Sequence, residues 1–283
     1  MTIAITGATG QLGRLTLAAI GRRDPGADVV ALVRDPARGG DLGVPLRQAD
    51  YHQPASLRSA LAGVDVVVLI SSSDFNDRAG QHRHVIDAAK AAGVGRIVYT
   101  SILKGEVSPL LLAADHVATE AALAASGLSR TILRNGWYTE NYTGSLGAAL
   151  QAGAMIGAAG EAVLNTAARA DYAEALAVAA LDAGLAGQVC ELAGPGYRLA
   201  DLAAEVSRQT GREIPYVDMD EASYREALLS FGLPAPMAAA VADADARARD
   251  AAALSDDSGS LARLIGRAPT PMAEVVRAAL AML

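Results

Sequence analysis

Short apolar runs alternate with amphipathic stretches along the first half of the chain. Runs of roughly four to eight residues between polar or glycine-rich segments are typical of strands that are buried on both faces. Such runs predict a strand that starts at Ile3 and further strands at residues 28–33, 44–49, 64–70, 95–100 and 129–133. Apolar positions at helical spacing predict helices at residues 14–22, 54–62, 79–92 and 116–126.

This alternation predicts an α/β fold, a Rossmann doubly wound parallel sheet with helices on both faces. The pattern loosens beyond Ala148. Later segments predict strands at 154–156, 162–164, 188–192 and 214–217, a helix at 169–182 and a mostly helical remainder. We therefore expect a Rossmann domain at residues 1–150, with sheet elements returning within 160–193, and a smaller, mostly helical substrate-side domain at 194–283.

The first predicted strand ends in a glycine-rich turn that leads directly into a helix. Such a turn presents backbone N–H groups and the positive end of the helix dipole to a pyrophosphate, and glycine permits its close approach. We predict phosphate contacts from Thr6, Gly7, Ala8, Thr9, Gly10, Gln11, Leu12 and Gly13. The glycine spacing alone is a weak signal, so a turn that serves only the fold is the alternative.

Arg34 follows the second predicted strand, where dinucleotide-binding folds contact the adenosine ribose. An acidic residue there favours a free 2′-hydroxyl, whereas a guanidinium favours a 2′-phosphate. Arg34 therefore predicts a preference for NADPH. The alternative is a solvated surface arginine.

Two further loops follow predicted strands. Asp50 and Tyr51 end the third strand and are candidate contacts for the adenine, or ordinary turn residues. Ser71, Ser72 and Ser73 end the fourth strand, where small residues let a cofactor lie close to the sheet. A serine cluster is also typical of a loop without a ligand.

The sixth strand is followed by a segment that holds the only tryptophan and two tyrosines, in a chain with 4% aromatic residues. We predict that it lines the nicotinamide and a planar substrate. The predicted contacts are Gly136, Trp137, Tyr138, Glu140 and Asn141, while Asn135 and Asn141 are candidates to hydrogen-bond an amide or carbonyl. An aromatic anchor between domains is the alternative.

The chain lacks the tyrosine and lysine pair of short-chain dehydrogenases, because no tyrosine has a lysine four residues later. Hydride transfer to an acceptor such as a quinone needs no strong protein acid, so it is the reaction favoured here. Tyr138, Tyr99, His116 and water are the candidate proton donors. His82 and His84 are two residues apart on a predicted helix, so they point to different faces and are poorly placed to bind one metal ion. We interpret them as part of a solvated helix face. No other metal-binding motif and no hydrolase motif is found in the sequence.

The composition limits the partners and the compartment. A net charge of −7 without a basic stripe argues against nucleic acid. No apolar run of about 18 residues and no signal peptide is present. Cys190 is the only cysteine and is expected to be a buried strand thiol. We expect a cytoplasmic protein without a membrane partner and leave a homodimer open. The stretch 243–253 is interpreted as a solvated helix face.

Several motifs together resemble the NmrA-like atypical short-chain dehydrogenases. They are ITGATGQLG, VALVRDP, QADY, LISSS, YTS, ADHVATE, LRNGWYTENY and ARADY. Within that family, the sequence is most similar to the bacterial NADPH-dependent quinone reductases and next to the triphenylmethane dye reductases. The resemblance extends over essentially the whole chain, including the terminal DDSGSLARLIGRAPT.

The resemblance implies a Rossmann domain, NADPH as cofactor and reduction of quinones. Matched by motif, residues 6–12 bind phosphate, Arg34 binds the 2′-phosphate, Ser71 to Ser73 line the cofactor, and residues 136–141 line the nicotinamide and substrate. The leading hypothesis is thus an NADPH-dependent reductase of quinones or related planar acceptors. Some family members bind NADP without catalysis, so a non-catalytic NADP(H)-binding redox sensor is the alternative.

Overall fold

The computed structural model describes all residues from Met1 to Leu283. They form two compact units, each of which is described by itself. Unit 1 comprises Met1–Gly105, Ala114–Asn135 and Ala170–Cys190. Unit 2 comprises Glu106–Ala113, Gly136–Arg169 and Glu191–Leu283.

The strands and helices follow one another along the chain with short connections. In chain order, the strands are β1 (Thr2–Ile5), β2 (Asp28–Val33), β3 (Leu46–Gln48), β4 (Val66–Leu69), β5 (Arg96–Ile102), β6 (Ser129–Asn135), β7 (Met155–Gly157), β8 (Leu164–Asn165), β9 (Val189–Leu192), β10 (Gly196–Tyr197) and β11 (Tyr216–Asp218). The helices are α1 (Gln11–Arg23), α2 (Pro54–Ala60), α3 (Arg78–Ala92), α4 (Ala113–Ser126), α5 (Glu140–Thr143), α6 (Leu146–Ala152), α7 (Arg169–Leu181), α8 (Leu199–Thr210), α9 (Glu221–Ser230), α10 (Ala235–Ala251), α11 (Ser260–Ile265) and α12 (Met272–Leu280). None of the helices is both long and apolar enough to cross a bilayer.

The main sheet has seven strands in the order β3-β2-β1-β4-β5-β6-β9. The pairs from β3 through β6 are parallel, with Ile3 opposite Val29 and Ile102 opposite Asn135. The strand order reverses between β1 and β4, which opens a crevice at the carboxyl ends of these two strands. The predicted α/β Rossmann architecture is therefore confirmed.

The burial of the strands in unit 1 explains why their sequences are continuous apolar runs. All four residues of β4 are buried, and so are the inner five of β2. A single buried cluster joins Val67 and Ile97 of the sheet to Leu57 of α2, Ile86 of α3 and Leu123 of α4. Because helices cover these strands, an alternating pattern is absent and only strand length distinguishes them from helices.

Unit 2 combines two small sheets with most of the later helices. Strands β7 and β11 are parallel, whereas β8 and β10 are antiparallel. The chain leaves the main sheet after Asn135, and Gly136 already donates its N–H to Leu192 O within unit 2. For this reason the division differs from the expected boundary at residue 150.

Two polar residues are buried where the sequence predicted solvated helix faces. His82 on α3 and Asp245 on α10 are both 0% exposed. The interpretation of these faces as solvated is therefore wrong at both positions. Each side chain accepts hydrogen bonds from its own unit, which makes its burial tolerable. Cys190 lies on β9 as expected, but it is half-buried.

Candidate functional site

The glycine turn of unit 1 is shaped by close backbone approaches. Gly7 has a φ of +59°, a conformation that residues with a side chain rarely adopt. Gly10 donates its N–H to Gly7 O over 2.9 Å. A Cβ on Gly13 would lie 2.4 Å from Gly7 O and 2.7 Å from Ala8 Cα. Only glycine at position 13 therefore allows α1 to pack this closely against the turn.

The beginning of α1 is open toward an anion. Gly10 is the N-cap residue, no side chain caps the helix, and its first turn holds no acidic residue. The first N–H groups, from Gln11 onward, have no acceptor within the helix. A phosphate can accept these hydrogen bonds and gain from the helix dipole. The residues present thus fit the pyrophosphate of a dinucleotide.

Thr6 fixes this turn to the neighbouring strand. Its Oγ1 donates to Val68 O over 3.1 Å and accepts the Ile70 N–H over 3.0 Å. These bonds join the ends of β1 and β4 at the point where strand order reverses. The side chain of Thr6 is therefore used to position the turn.

Arg34 lies directly after β2 and is exposed. Only its backbone oxygen takes part in a hydrogen bond, from Gln48 Nε2 at 3.3 Å. The guanidinium pairs with no protein group, in contrast to Arg14, whose Nη1 lies 2.6 Å from Asp41 Oδ2. It is thus available for the bidentate contact that a phosphate offers.

The hydrogen bonds of Asp50 are those of a turn residue. Its Oδ1 accepts the His52 N–H over 3.0 Å, and its own N–H is bound to Ser56 Oγ. Tyr51 donates its hydroxyl to Ile70 O over 2.9 Å, so it supports the end of β4. His84 Nδ1 lies 2.8 Å from Tyr51 O. These bonds fix the loop after β3 to the end of β4 and to α3.

Residues of α3 hold the serine loop after β4. Ser72 donates its N–H to His82 Nε2 over 2.9 Å and its hydroxyl to Gln81 Oε1 over 2.7 Å. Arg78 Nε donates to Ser72 O over 2.7 Å, and Ser71 donates its N–H to Thr100 Oγ1. The N–H groups of Ser71 and Ser72 and the backbone oxygen of Ser72 are therefore bound within the protein.

The bonds of His82 determine its tautomer. Because Nε2 accepts from Ser72, Nδ1 carries the proton and donates to Thr119 Oγ1 over 2.8 Å. Burial, and next the charge of Arg78, lowers the pKa of His82 to about 3. Arg78, Gln81 and His82 were not predicted as supports of this loop. Their spacing of three and four residues, which places them on one helix face next to the serine loop, was the available signal.

Tyr99 and His116 form a buried pair in unit 1. The Tyr99 hydroxyl lies 2.8 Å from His116 Nδ1. Burial raises the pKa of Tyr99, and burial followed by the charge of Arg78 lowers the pKa of His116 to about 3. Both groups are thus neutral at pH 7 and act as hydrogen-bonding partners of each other.

Helix α4 carries a histidine and a glutamate in the region where a tyrosine and lysine pair was sought. Glu120 is bound by Arg134, with Nε 2.9 Å from Oε1 and Nη2 2.6 Å from Oε2. Ser101 Oγ also donates to Glu120 Oε1 over 2.5 Å. Because this carboxylate is negatively charged and bound by Arg134, it cannot take the place of the lysine cation of that pair.

The aromatic segment lies in unit 2 and is fixed by its backbone. Thr139 donates its N–H to Ala167 O over 3.0 Å, and Ala167 donates its own N–H to Trp137 O over 3.1 Å. Tyr138 is half-buried, and the Arg169 guanidinium lies 4.9 Å above its ring. Trp137 is more deeply buried, so Tyr138 is the more accessible of the two aromatic rings.

Side chains of the same segment are also bound within unit 2. Both carboxylate oxygens of Glu140 accept the Arg169 N–H, at 2.9 and 3.0 Å, at the start of α7. Thr139 Oγ1 lies 2.7 Å from Thr166 Oγ1, which donates to the Tyr197 hydroxyl over 2.7 Å. Glu140 is thus a tether, while Asn141 has no such side-chain bond.

The segment continues into a buried carboxylate. Tyr142 donates its hydroxyl to Asp245 Oδ1 over 2.8 Å, and Ala158 donates its N–H to Oδ2 over 2.9 Å. Burial raises the pKa of Asp245 to about 6, although both hydrogen bonds oppose the shift. Asp245 was missed because alanines surround it in the sequence and give α10 no clear apolar face.

No group of three or more histidine, cysteine, aspartate or glutamate side chains is arranged to hold a metal ion. What the structure provides instead is an anion site at the turn of unit 1, an unpaired guanidinium at the tip of β2 and a polar loop after β4 that is hydrogen-bonded to α3. These features suit a phosphorylated dinucleotide.

Comparisons with known proteins agree with this geometry. Residues 7–183 match the model of the NAD(P)H-binding family. The chain is 49% identical over 278 residues to quinone oxidoreductase 2 of Escherichia coli, with 97% of each chain covered.

Two solved structures are similar over nearly the full length. The NADPH complex of an NADPH-dependent quinone oxidoreductase from Escherichia coli has a TM-score of 0.94 and 48% identity, with 98% of this chain and 99% of that chain covered. Triphenylmethane reductase from Citrobacter sp. has a TM-score of 0.91 and 32% identity, with both chains covered completely.

Proposed function

The chain belongs to the NAD(P)H-binding family, and from this we propose that it is an NADPH-dependent reductase of quinones and related planar acceptors. The family resemblance expected from the sequence motifs is confirmed. The observation that carries the cofactor assignment is the exposed, unpaired Arg34 beside a glycine turn that is open to phosphate. The relatives named above support the choice of acceptor.

The residues of unit 1 hold the cofactor. Backbone N–H groups of the turn from Gly7 to Gly13 bind the pyrophosphate, and Arg34 binds the 2′-phosphate. The loop Ser71 to Ser73 lies along the cofactor, and Tyr51 borders the adenine. In unit 2, Gly136, Trp137, Tyr138 and Asn141 line the nicotinamide, while Glu140 supports this segment through Arg169.

A quinone suits the groups that the chain offers. When bound, NADPH supplies a hydride, and a proton completes the two-electron reduction of the quinone to a hydroquinone. The anion formed on the acceptor is delocalised like a phenolate, so the reaction does not require the missing tyrosine and lysine pair. The protein therefore contributes orientation and exclusion of water.

Of the three side chains considered as proton donors, we assign the role to Tyr138, with water as its source of protons. Tyr99 and His116 are buried, neutral and bound to each other, which makes both poor acids. Tyr138 is half-buried and has the Arg169 cation over its ring, which attracts negative charge on the phenol. Tyr99 and His116 then serve to position β5 against α4.

Rapid mixing of NADPH with benzoquinone and naphthoquinones, followed at the nicotinamide absorbance, tests the function. We expect turnover well above the uncatalysed reaction. Tyr138→Phe should lower kcat by about tenfold, less than the usual general-acid effect, because water can replace the phenol. Tyr99→Phe is the control and should leave the pH profile of kcat unchanged.

Tight NADPH binding without turnover on any of these acceptors would refute the reductase assignment. That result would favour the non-catalytic redox sensor instead. We further propose that the protein acts in the cytoplasm on small molecules and not on nucleic acid, which its net charge of −7 supports. Sedimentation at several concentrations would establish whether it forms a homodimer.

A further inference from the structure

Asn135 is a buried amide at the carboxyl end of β6. The residue is 5% exposed, and neither its Oδ1 nor its Nδ2 has a hydrogen-bond partner. Its backbone oxygen accepts the Leu103 N–H over 2.9 Å, so the strand itself is well ordered at this point. The unsatisfied groups are therefore those of the side chain alone.

Another buried asparagine shows the usual arrangement. Asn165 is 7% exposed, and its Nδ2 donates to Gly194 O over 3.0 Å while its Oδ1 accepts the Asp256 N–H over 3.2 Å. Most buried polar groups in proteins are paired in this way, because an unpaired one has lost its contacts with water. An unpaired donor and an unpaired acceptor on one amide suit a ligand that presents both groups side by side.

The strand order places Asn135 on the nicotinamide side of the cofactor site. Arg34 follows β2 on one side of β1, whereas β6 lies three strands from β1 on the other side. Three strand spacings amount to roughly 14 Å along the carboxyl edge of the sheet. A dinucleotide that has its pyrophosphate at the turn after β1 and its 2′-phosphate at Arg34 extends its nicotinamide toward β4, β5 and β6.

We propose that the Asn135 side chain recognises the carboxamide of the nicotinamide ring. Its Nδ2 donates to the carboxamide oxygen, and its Oδ1 accepts from the carboxamide NH2. Two reciprocal hydrogen bonds satisfy all four polar groups, and a primary amide is the chemical group that complements another primary amide. This assignment rests on the proposed function, because it takes NADPH as the cofactor.

For Asn135→Leu, we expect that the loss of a buried polar side chain does not lower the stability of the free protein. Leucine has nearly the same size and removes both unpaired groups, so the free protein should melt at the same temperature as wild type or higher. The matched control, Asn165→Leu, breaks two hydrogen bonds and should lower the melting temperature. A merely structural asparagine at position 135 would behave like Asn165.

Binding measured by calorimetry then tests recognition independently of turnover. Asn135→Leu should weaken NADPH binding by about tenfold to a hundredfold, the effect of two hydrogen bonds. The affinity for 2′,5′-ADP, which lacks the nicotinamide, should stay within about twofold of wild type. Wild type should also bind NADP+ about threefold to tenfold more tightly than the 3-acetylpyridine analogue, which lacks the NH2 group.

Several outcomes would overturn the assignment. They are unchanged NADPH binding by Asn135→Leu, an equal loss for NADPH and 2′,5′-ADP, or a fall in melting temperature comparable to that of Asn165→Leu. Should the variant not fold, equal wild-type affinities for NADP+ and its analogue would refute it. Failure of wild type to bind NADPH at all would overturn the proposed function together with this assignment, whereas the other outcomes leave that function intact.

Discussion

The glycine turn of unit 1 and the aromatic segment of unit 2 were both predicted to bind the cofactor, yet they use their polar groups differently. In the turn, the first N–H groups of α1 and the Arg34 guanidinium are open. In the aromatic segment, Glu140, Thr139 and Tyr142 are bound to neighbours in the same unit. We expect the open groups to bind the cofactor and the satisfied groups to fix the position of the residues beside them.

Substitutions in the two regions should therefore have different effects. Changes in the turn should reduce cofactor binding and leave the free protein stable, except where they produce a clash. Changes among the tethers of unit 2 should reduce stability and affect cofactor binding less. Variants with controls in the same unit can test both expectations.

The largest effect is expected for Gly13→Ala. The new Cβ would meet backbone atoms at 2.4 and 2.7 Å, and backbone cannot move aside as a side chain does. We expect NADPH affinity to fall more than a hundredfold, or about 3 kcal/mol or more, at the upper end of overpacking costs. Gly21→Ala in the same helix is the control, because its Cβ meets nothing within 4 Å.

The control should bind NADPH normally and gain up to about 1 kcal/mol of stability from the better helix former. Isothermal calorimetry and urea denaturation measure both quantities. Normal NADPH binding by Gly13→Ala would show that the turn is not the phosphate site. Open groups would then be no guide to ligand binding in this protein.

The next effect concerns the buried carboxylate behind the aromatic segment. The folded-state pKa of Asp245 is about 6, above its ordinary value of 3.8, so the folded protein holds this proton more tightly than the unfolded chain. Its contribution to the free energy of unfolding is fully present below about pH 4 and is lost as the pH rises through about 6. The loss amounts to about 3 kcal/mol for a shift of this size.

Asp245→Asn removes this titration. Subtracting its unfolding free energy from that of wild type at each pH cancels the opposite contributions of His82 and His116, whose pKa values are lowered. The difference should decline between about pH 4 and 7. A difference that stays flat over this range would show that Asp245 is not a buried titrating group.

Sequence patterns identified the fold and the turn because both depend on features that repeat locally. Apolar runs mark strands covered on both faces, and a glycine turn between strand and helix has few alternatives. The patterns failed at His82 and Asp245, where a single polar side chain points inward. The neighbours of Asp245 are alanines, which are tolerated on either face of a helix, and those of His82 are the polar Gln81 and Arg83, so periodicity marks neither residue as inward.

Two of the predicted cofactor contacts make hydrogen bonds within the protein that the sequence did not reveal. Glu140 and Asp50 were predicted as cofactor contacts, and in the structure their carboxylates also accept backbone N–H groups, which the sequence did not indicate. The bond of Asp50 is local in the sequence, whereas that of Glu140 joins residues 29 positions apart, which the sequence pattern could not bring together. For Arg34, the predicted contact with a 2′-phosphate rests on its place directly after β2, where its side chain is exposed.

A smaller effect is expected for Arg34→Ala, and it should be selective. A charge-assisted contact with phosphate contributes about 1.5–3 kcal/mol, so NADPH affinity should fall about tenfold to a hundredfold while NADH affinity is nearly unchanged. Arg38→Ala is the control, since Arg38 is also exposed beyond β2. Equal losses for the two cofactors would remove the basis of the NADPH preference, and a loss of stability would contradict the open state of this guanidinium.

The smallest effect is expected for Glu140→Gln, which tests whether a tether of unit 2 affects stability more than cofactor binding. Both carboxylate oxygens accept the Arg169 N–H at the start of α7, where a negative charge also favours the helix dipole. Glutamine keeps one acceptor and loses the charge, so we expect a loss of about 0.5–1 kcal/mol in urea denaturation. NADPH affinity should change less than about twofold, a far smaller effect than a lost charge-assisted contact would produce.

Glu226→Gln, at an exposed position on α9 of the same unit, should alter neither quantity. A large loss of NADPH affinity at unchanged stability would mean that Glu140 contacts the cofactor directly, and that a satisfied carboxylate can exchange its backbone partner for a ligand.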